Sequence, residues 1–272
     1  MDAAPPDRTS DGWSSVARAY DEVVTPRFAP FSEAALEATK LAPGERALDV
    51  ASGPGALALA AARAGARVVA TDFAPAMVER LRERADREKL EVDAREMDGH
   101  ALRFDDASFD AAYCVFGLMF FHDRVGALRE MRRVLRPGGR VGIVTWSTPE
   151  RSGFFGLFAQ AFERALPDLP PAAEPPTPFS MGDPELVERV LREAGFASVK
   201  ARRVVREMDL GSAQRAWADF TTTNPVVPAM LAHVGEENVP RLRRALEDVF
   251  RERERGGTVR VDAEAVLATA QR

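Results

Sequence analysis

The sequence has little of what metal, redox or nucleic-acid chemistry needs. It holds one cysteine, Cys114, which rules out an internal disulfide framework and a cysteine-based zinc cluster. Its three histidines are scattered and give no metal-ligand spacing. Basic charge is not in surplus: the formal net charge is −5, which argues against binding driven by nucleic-acid phosphates. Long apolar runs are missing too. The longest, residues 111–121, is well short of the roughly 20 residues that cross a bilayer. No basic stretch followed by an apolar one opens the chain, so no signal peptide is expected, and the expected location is cytoplasmic.

What is present is a chain of 272 residues, 46% hydrophobic and 29% charged, able to bury a core and longer than one ordinary domain. Residues 1–12 are polar and expected to fray. Residues 13–20 have helical spacing, and a second helix is expected over 31–40 with Ser32 as N-cap. From residue 47 short apolar runs alternate with amphipathic segments. Strands are expected at 47–51, 67–71, 91–97, 110–116 and 140–146, and helices at 56–64, 75–89 and 125–135. The charge run 79–89 reads as a solvated face. Pro137-Gly138-Gly139 reads as the turn before the fifth strand. This alternation predicts an α/β fold with a parallel sheet covered on both faces.

After Trp146 the rhythm changes. An apolar helix is expected over 153–166, then a stiff extended connection over 167–179, which holds six prolines. A helix at 184–194 and a strand at 199–208 follow. Further helices are expected at 213–223 and 239–253, with corners at Asn224-Pro225 and Val227-Pro228. A last strand is expected at 257–268, behind the turn Gly256-Gly257.

The segment with chemistry in it is Leu48-Asp49-Val50-Ala51-Ser52-Gly53-Pro54-Gly55-Ala56, a strand, a small-residue turn and a helix start. Gly53 and Gly55 let backbone approach a ligand, and the helix N-terminus beyond them offers free N–H groups. Asp72 closes the second strand, where an acid can take two ribose hydroxyls. A dinucleotide needs room for its pyrophosphate, and Ala58 stands at the third place of the G-x-G-x-x-G pattern, which the looser form allows. S-adenosyl-L-methionine has no phosphate, and its ammonium favours an acid such as Asp49, which would repel a pyrophosphate.

On these residues the chain resembles the class I S-adenosyl-L-methionine (SAM)-dependent methyltransferases. Residues 49–56 look like their cofactor loop, with Ala51 where the first glycine usually stands, a change expected to displace the loop slightly. Val68 to Asp72, then Phe73 and Ala74 to Met77, look like the second motif, which makes Asp72 the ribose ligand. Asp98, Gly99 and His100 look like the adenine segment, with Asp98 toward the adenine amino group. Residues 109–118 look like the fourth strand and its exit, and Phe116-Gly117-Leu118 is similar to the ubiquinone/menaquinone-biosynthesis branch.

The resemblance implies a Rossmann-like, doubly wound seven-stranded sheet with helical lid insertions. It divides the chain into an N-terminal cap (1–40), a cofactor core (41–147) and lid helices plus the last two strands (148–272) within one domain. The cofactor-binding set expected is Asp49, Ala51, Ser52, Gly53, Gly55, Asp72, Phe73, Met77, Asp98, Gly99, His100 and Phe116. The reaction implied is methyl transfer to a small, fairly apolar metabolite, by O- or C-methylation, in quinone or natural-product biosynthesis. Alignment and desolvation carry most of such a step. If the acceptor needs a base, His122 is the first candidate and Tyr20, paired with Asp21 in an N-terminal cover, the second. No metal, nucleic-acid partner or membrane span is expected, and the chain is expected to be a monomer or homodimer. The competing readings are an NAD(P)-dependent oxidoreductase and a non-catalytic protein that keeps the fold.

Overall fold

The computed structural model describes residues 5–168 and 177–272. Seven strands form one sheet in the order β3-β2-β1-β4-β5-β7-β6. The strands are β1 (Arg46–Val50), β2 (Arg67–Asp72), β3 (Val92–Glu96), β4 (Phe109–Val115), β5 (Leu135–Trp146), β6 (Ala197–Asp209) and β7 (Arg260–Gln271). The first five pair in parallel, while β7 runs antiparallel to both β5 and β6. The first five strands thus form the parallel sheet expected from the alternation, and the last two complete the expected seven, with β7 reversed.

Central strands are buried at consecutive residues, as in β1 and β7, which requires cover on both faces. The helices that supply cover after the first strands are α3 (Ala56–Arg63), α4 (Pro75–Glu88) and α5 (Arg124–Val134). On α4, Met77, Leu81 and Ala85 share the buried face. The chain leaves β1 toward β2 on one side and returns to β4 on the other. That reversal opens a crevice at the carboxyl ends of β1 and β4, where ligands of open α/β sheets bind.

The N-terminal part departs most from expectation. Residues 5–12, read as frayed, form a 3-10 turn (Pro6–Arg8) and the start of α1 (Ser10–Ala19), capped by Thr9. A π-helical turn, Tyr20–Val24, leads directly into α2 (Thr25–Thr39), which begins well before residue 31. Pro26 sits in the first turn of α2, where a missing N–H costs nothing, and Pro30 is carried inside the helix. Ser32 is therefore a buried helix residue and no cap. Asp21, buried at the π-turn, pairs with Arg84 at 3.1 Å and Arg80 at 3.5 Å on α4. The charge run expected to be solvated thus clamps the N-terminal helix.

Other departures are smaller. The strand expected from residue 140 starts at Leu135, and Pro137 to Gly139 bulge out between the pairs Phe109–Leu135 and Ala111–Arg140. The late helices are α6 (Phe154–Ala165), α7 (Pro184–Glu193), α8 (Ala216–Thr223), α9 (Val227–Val234) and α10 (Val239–Arg253). Asn224 does make a corner, its Oδ1 accepting from the Val226 N–H, but Val227-Pro228 opens α9. The last strand runs three residues later than expected at each end. Of the proline-rich connection, residues 169–176 lie outside the described residues. Among those described, no helix is long and apolar enough to cross a membrane.

Candidate cofactor and acceptor site

The glycine loop after β1 is held in backbone conformations that explain its composition. Gly53 and Gly55 have φ of 52° and 89°. A Cβ on Gly55 would lie 2.1 Å from Leu81 Cδ1, so only glycine lets α3 and α4 pack this closely. Ala51 also adopts a positive φ, 55°, and Phe116, at the end of the neighbouring strand, has 57°. Two non-glycine residues in the left-handed region thus face one crevice from β1 and β4, the kind of local strain that binding sites hold. The Ala51 methyl group packs against Gly117, where a Cβ would come within 2.7 Å of it.

Three carboxylates line this crevice in different states. Asp49 is 1% exposed, and neither of its oxygens has a hydrogen-bond partner. Burial pushes its pKa up to about 8; the nearby Ala58 N–H opposes the rise and the Asp72 carboxylate adds to it. Asp72 is pushed up to about 6 by burial, opposed by backbone N–H groups. Two of these donate to it directly, Gly53 at 2.8 Å and Ala74 at 2.9 Å. Asp98 moves the other way. Burial would raise its pKa, but the His100 backbone N–H and ring outweigh it and hold the carboxyl low. Its Oδ1 meets His100 N at 2.9 Å and Nδ1 at 2.8 Å.

A first cavity of about 320 Å³ is lined by Asp49, Ala51, Ser52, Gly53, Asp72, Phe73, Met77, Asp98, Gly99, His100 and Phe116, together with Tyr20 and His122. Every expected site residue except Gly55 is brought to it; Gly55 sits behind the loop against Leu81. Gly99 belongs there because a Cβ would strike the Phe121 ring at 2.6 Å. His122 stacks on His100 with ring centroids 4.0 Å apart and does not reach the second cavity.

The second cavity, of about 490 Å³, is mostly aromatic. Trp146, Phe154, Phe155, Phe158, Phe162, Phe179 and Phe220 line it from β5, α6, the turn before α7, and α8. Phe116 stacks on Trp146 at 4.1 Å and tilts against Phe28 at 4.5 Å. Asp7, Trp13, Tyr20, Phe28, Phe116 and Phe120 line both cavities and form their common wall. Sequence reasoning missed Asp7, Trp13 and Phe28, which lie in segments read as frayed, as plain helix and as connection. The Tyr20 hydroxyl is pushed well above the usual phenol range, by burial and then by Asp72. Cys114 is fully buried and its thiol is likewise raised, by burial first, so it packs as a small hydrophobe.

Comparison with known proteins agrees with this geometry. The family profile described as "Methyltransferase domain" matches residues 48–143. An uncharacterized protein of Mycobacterium tuberculosis is 33% identical over 217 residues, covering 78% of this chain and 75% of that protein. A demethylmenaquinone methyltransferase of Thermus thermophilus is 42% identical over 127 residues, 46% of this chain and 58% of that one. A solved putative methyltransferase from Bacillus halodurans superposes with a TM-score of 0.59 over 88% of this chain and 97% of its own, at 20% identity, a likeness of fold. With its cofactor loop, its sheet order and these relatives, the chain belongs to the class I SAM-dependent methyltransferases.

Proposed function

We propose that the protein transfers a methyl group from SAM to a small, fairly apolar metabolite. The observation that carries this reading is the aromatic second cavity, which shares one wall with the carboxylate-lined first cavity.

The residues present fit the cofactor. A buried carboxylate without a partner is costly, and an ammonium facing Asp49 removes that cost. Asp72 spends one lone pair on each of two backbone donors and keeps others for ribose hydroxyls. A pyrophosphate beside Asp49 would be repelled, which disfavours the NAD(P) reading. Gly53 and Ser52 give backbone approach, Phe73 and Met77 flank the ribose acid, and Asp98, Gly99 and His100 close the far end. When bound, SAM supplies a methyl group on a positively charged sulfur. The aromatic faces of Tyr20, Phe28 and Phe116 surround the wall between the cavities and favour a positive charge there. These side chains also exclude water from the transfer path.

The acceptor is held by the second cavity. Its lining is apolar enough for an aromatic or quinone-like body, in keeping with the name of the Thermus relative. Residues 41–147 form the cofactor core in this reading; the cap of residues 1–40 and the late helices are the lid that selects the acceptor. Of the two expected bases, His122 packs on His100 and lines the first cavity alone, while Tyr20 lines both cavities with its hydroxyl raised by burial.

A thermal-shift comparison tests the reading. S-adenosylhomocysteine at about a hundredfold over its Kd should raise Tm by roughly 5 °C or more. A chain that responds to NAD(P) and not to S-adenosylhomocysteine is no methyltransferase.

A further inference from the structure

The second cavity is apolar along most of its lining, so its few polar side chains decide what it admits. Asp7 and Tyr20 stand on the wall common to both cavities; Arg27, Ser152, Thr223 and Asn224 line the second alone. A hydroxyl has one hydrogen. Ser152 gives its own to the Thr148 carbonyl and Thr223 to the Asp219 carbonyl, each at 2.7 Å. The two nitrogen-bearing side chains have hydrogens to spare. Asn224 Oδ1 accepts from the Val226 N–H at 3.1 Å, and both hydrogens on Nδ2 lack an acceptor among the described residues. Arg27 spends Nε on the Asp209 carbonyl at 3.2 Å, and Nη2 on the Leu210 carbonyl at 2.8 Å and Asp219 at 2.7 Å. Its Nη1 has no acceptor among the described residues. We propose that Asn224, with Arg27 as a second donor, holds the methyl acceptor by a carbonyl oxygen, so that the second cavity selects aromatic molecules that carry a carbonyl group.

The backbone keeps Asn224 in place. It caps the end of α8 in an extended conformation, φ −129° and ψ 121°, which the following Pro225 favours. The Val227 N–H donates to its carbonyl oxygen at 3.2 Å. The atom that faces the Val226 N–H has to be an acceptor, so the amide oxygen stands there and the orientation of the amide is settled. Aspartate or serine would close the same turn. Only asparagine also brings a planar N–H pair, which the turn itself does not use. Both Asn224 and Arg27 are half-buried. Arg27 is tied to α8 through Asp219, so the two donors belong to one helix flank.

Donors of this kind discriminate by what they lose. In the empty cavity water can accept from them, but a ligand that covers them without an accepting atom strands polar hydrogens in an apolar setting. A hydrocarbon of the right shape is therefore penalised and a carbonyl is not. A neutral oxygen fits better than an anion. The charge of Arg27 is already met by Asp219, which is 4% exposed, and the one carboxylate of the cavity lining among the described residues, Asp7, would repel a second.

The inference rests on the proposed methyltransferase reading, and one experiment separates their failures. Protein saturated with S-adenosylhomocysteine is titrated calorimetrically with 1-acetylnaphthalene and with 1-isopropenylnaphthalene, which share an outline and differ in C=O against C=CH2. Leaving water favours the hydrocarbon by roughly tenfold, because the ketone gives up hydrogen bonds to water. Wild type should nonetheless bind the ketone at least as tightly, and the infrared carbonyl band of the bound ketone should lie below its position in hexane. Asn224→Asp keeps an oxygen for the Val226 N–H and removes the donor; Asn224→Ser keeps the turn and shortens the reach. Each should weaken ketone binding roughly tenfold and leave the hydrocarbon and S-adenosylhomocysteine within about twofold, since Asn224 does not line the first cavity. A merely structural role would weaken both probes together. A wild type that prefers the hydrocarbon roughly tenfold, or an unshifted carbonyl band, overturns the inference whether or not the variants fold. So does ketone affinity retained by both variants, or a loss of both probes together. No binding of S-adenosylhomocysteine at all would instead overturn the methyltransferase reading.

Discussion

Asp49 gives the site its most distinctive energetics at the scale of single residues. Its folded-state pKa of about 8 lies above the ordinary carboxylate value, so folding favours the protonated form. The stability this contributes is complete below about pH 4 and is lost as pH rises toward 8. Asp72, pushed up to about 6, acts in the same direction over a narrower window. The ligand-free protein should therefore lose stability between pH 4 and 8 from these two groups, by roughly 2 kcal/mol or more. Asp49→Asn should flatten that slope and stabilise the ligand-free protein near pH 8, yet weaken S-adenosylhomocysteine binding by about tenfold or more. Chemical denaturation across pH, with and without ligand, checks both halves; a variant that gains stability and keeps its affinity contradicts the ammonium-facing role. Asp72→Ala removes the acceptor of the Gly53 and Ala74 N–H groups as well as the proposed ribose contact. It should cost roughly 1–3 kcal/mol of stability and about thirtyfold in affinity for S-adenosylhomocysteine, read by calorimetry. Retained affinity would remove the ribose assignment.

Among the elements, the junction of β1, the glycine loop and α3 is the most tightly specified. Gly55→Ala places a methyl group 2.1 Å from Leu81 Cδ1 at a φ of 89°, so steric overlap and backbone strain add. It should destabilise by roughly 2–4 kcal/mol, and urea denaturation measures it; a loss below 1 kcal/mol would mean that the loop and α4 separate easily. These were the elements the sequence displayed best, because a buried parallel strand, a positive-φ turn and an amphipathic helix each leave a local signature. The five parallel strands and their helices came from such signatures, and the family resemblance added the site positions, all of which except Gly55 line the first cavity. The N-terminal cover did not. Pro26 and Pro30 advertise a break, but one occupies a first turn and the other is tolerated after a π-turn, so α1 and α2 join in one cover. Its anchors are long-range: Asp21 to Arg80 and Arg84, and Ser10 Oγ to the Phe73 carbonyl at 3.0 Å. No spacing along the chain reveals contacts of that kind. The reversed direction of β7 was equally invisible, since its pairing with β5 and β6 depends on where the chain returns.

Across the whole molecule, the two ends of the chain converge on one job. Residues from the N-terminal turn, α1 and α2 meet residues from α6, α8 and α9 around the second cavity, while the loops of the sheet, together with the same N-terminal segment, line the first. The sheet can therefore hold its cofactor geometry while the cavity for the acceptor changes with the helices around it. The ring pairs Phe154–Phe158 at 4.3 Å and Phe158–Phe220 at 4.0 Å join α6 to α8 across that cavity. Phe158 is 8% exposed, so Phe158→Ala deletes a nearly buried ring and leaves space on the acceptor side only. The expected cost is roughly 3 kcal/mol of stability, with S-adenosylhomocysteine affinity kept within about twofold because the first cavity does not include this residue. Binding of 1-methoxynaphthalene should weaken about tenfold from lost ring contact, while a bulkier fused aromatic gains relative to it. Calorimetry with the two probes and S-adenosylhomocysteine reads all three effects in one variant. If cofactor and acceptor affinities fall together, the cavities are one coupled unit, and the division of labour between sheet and lid is wrong.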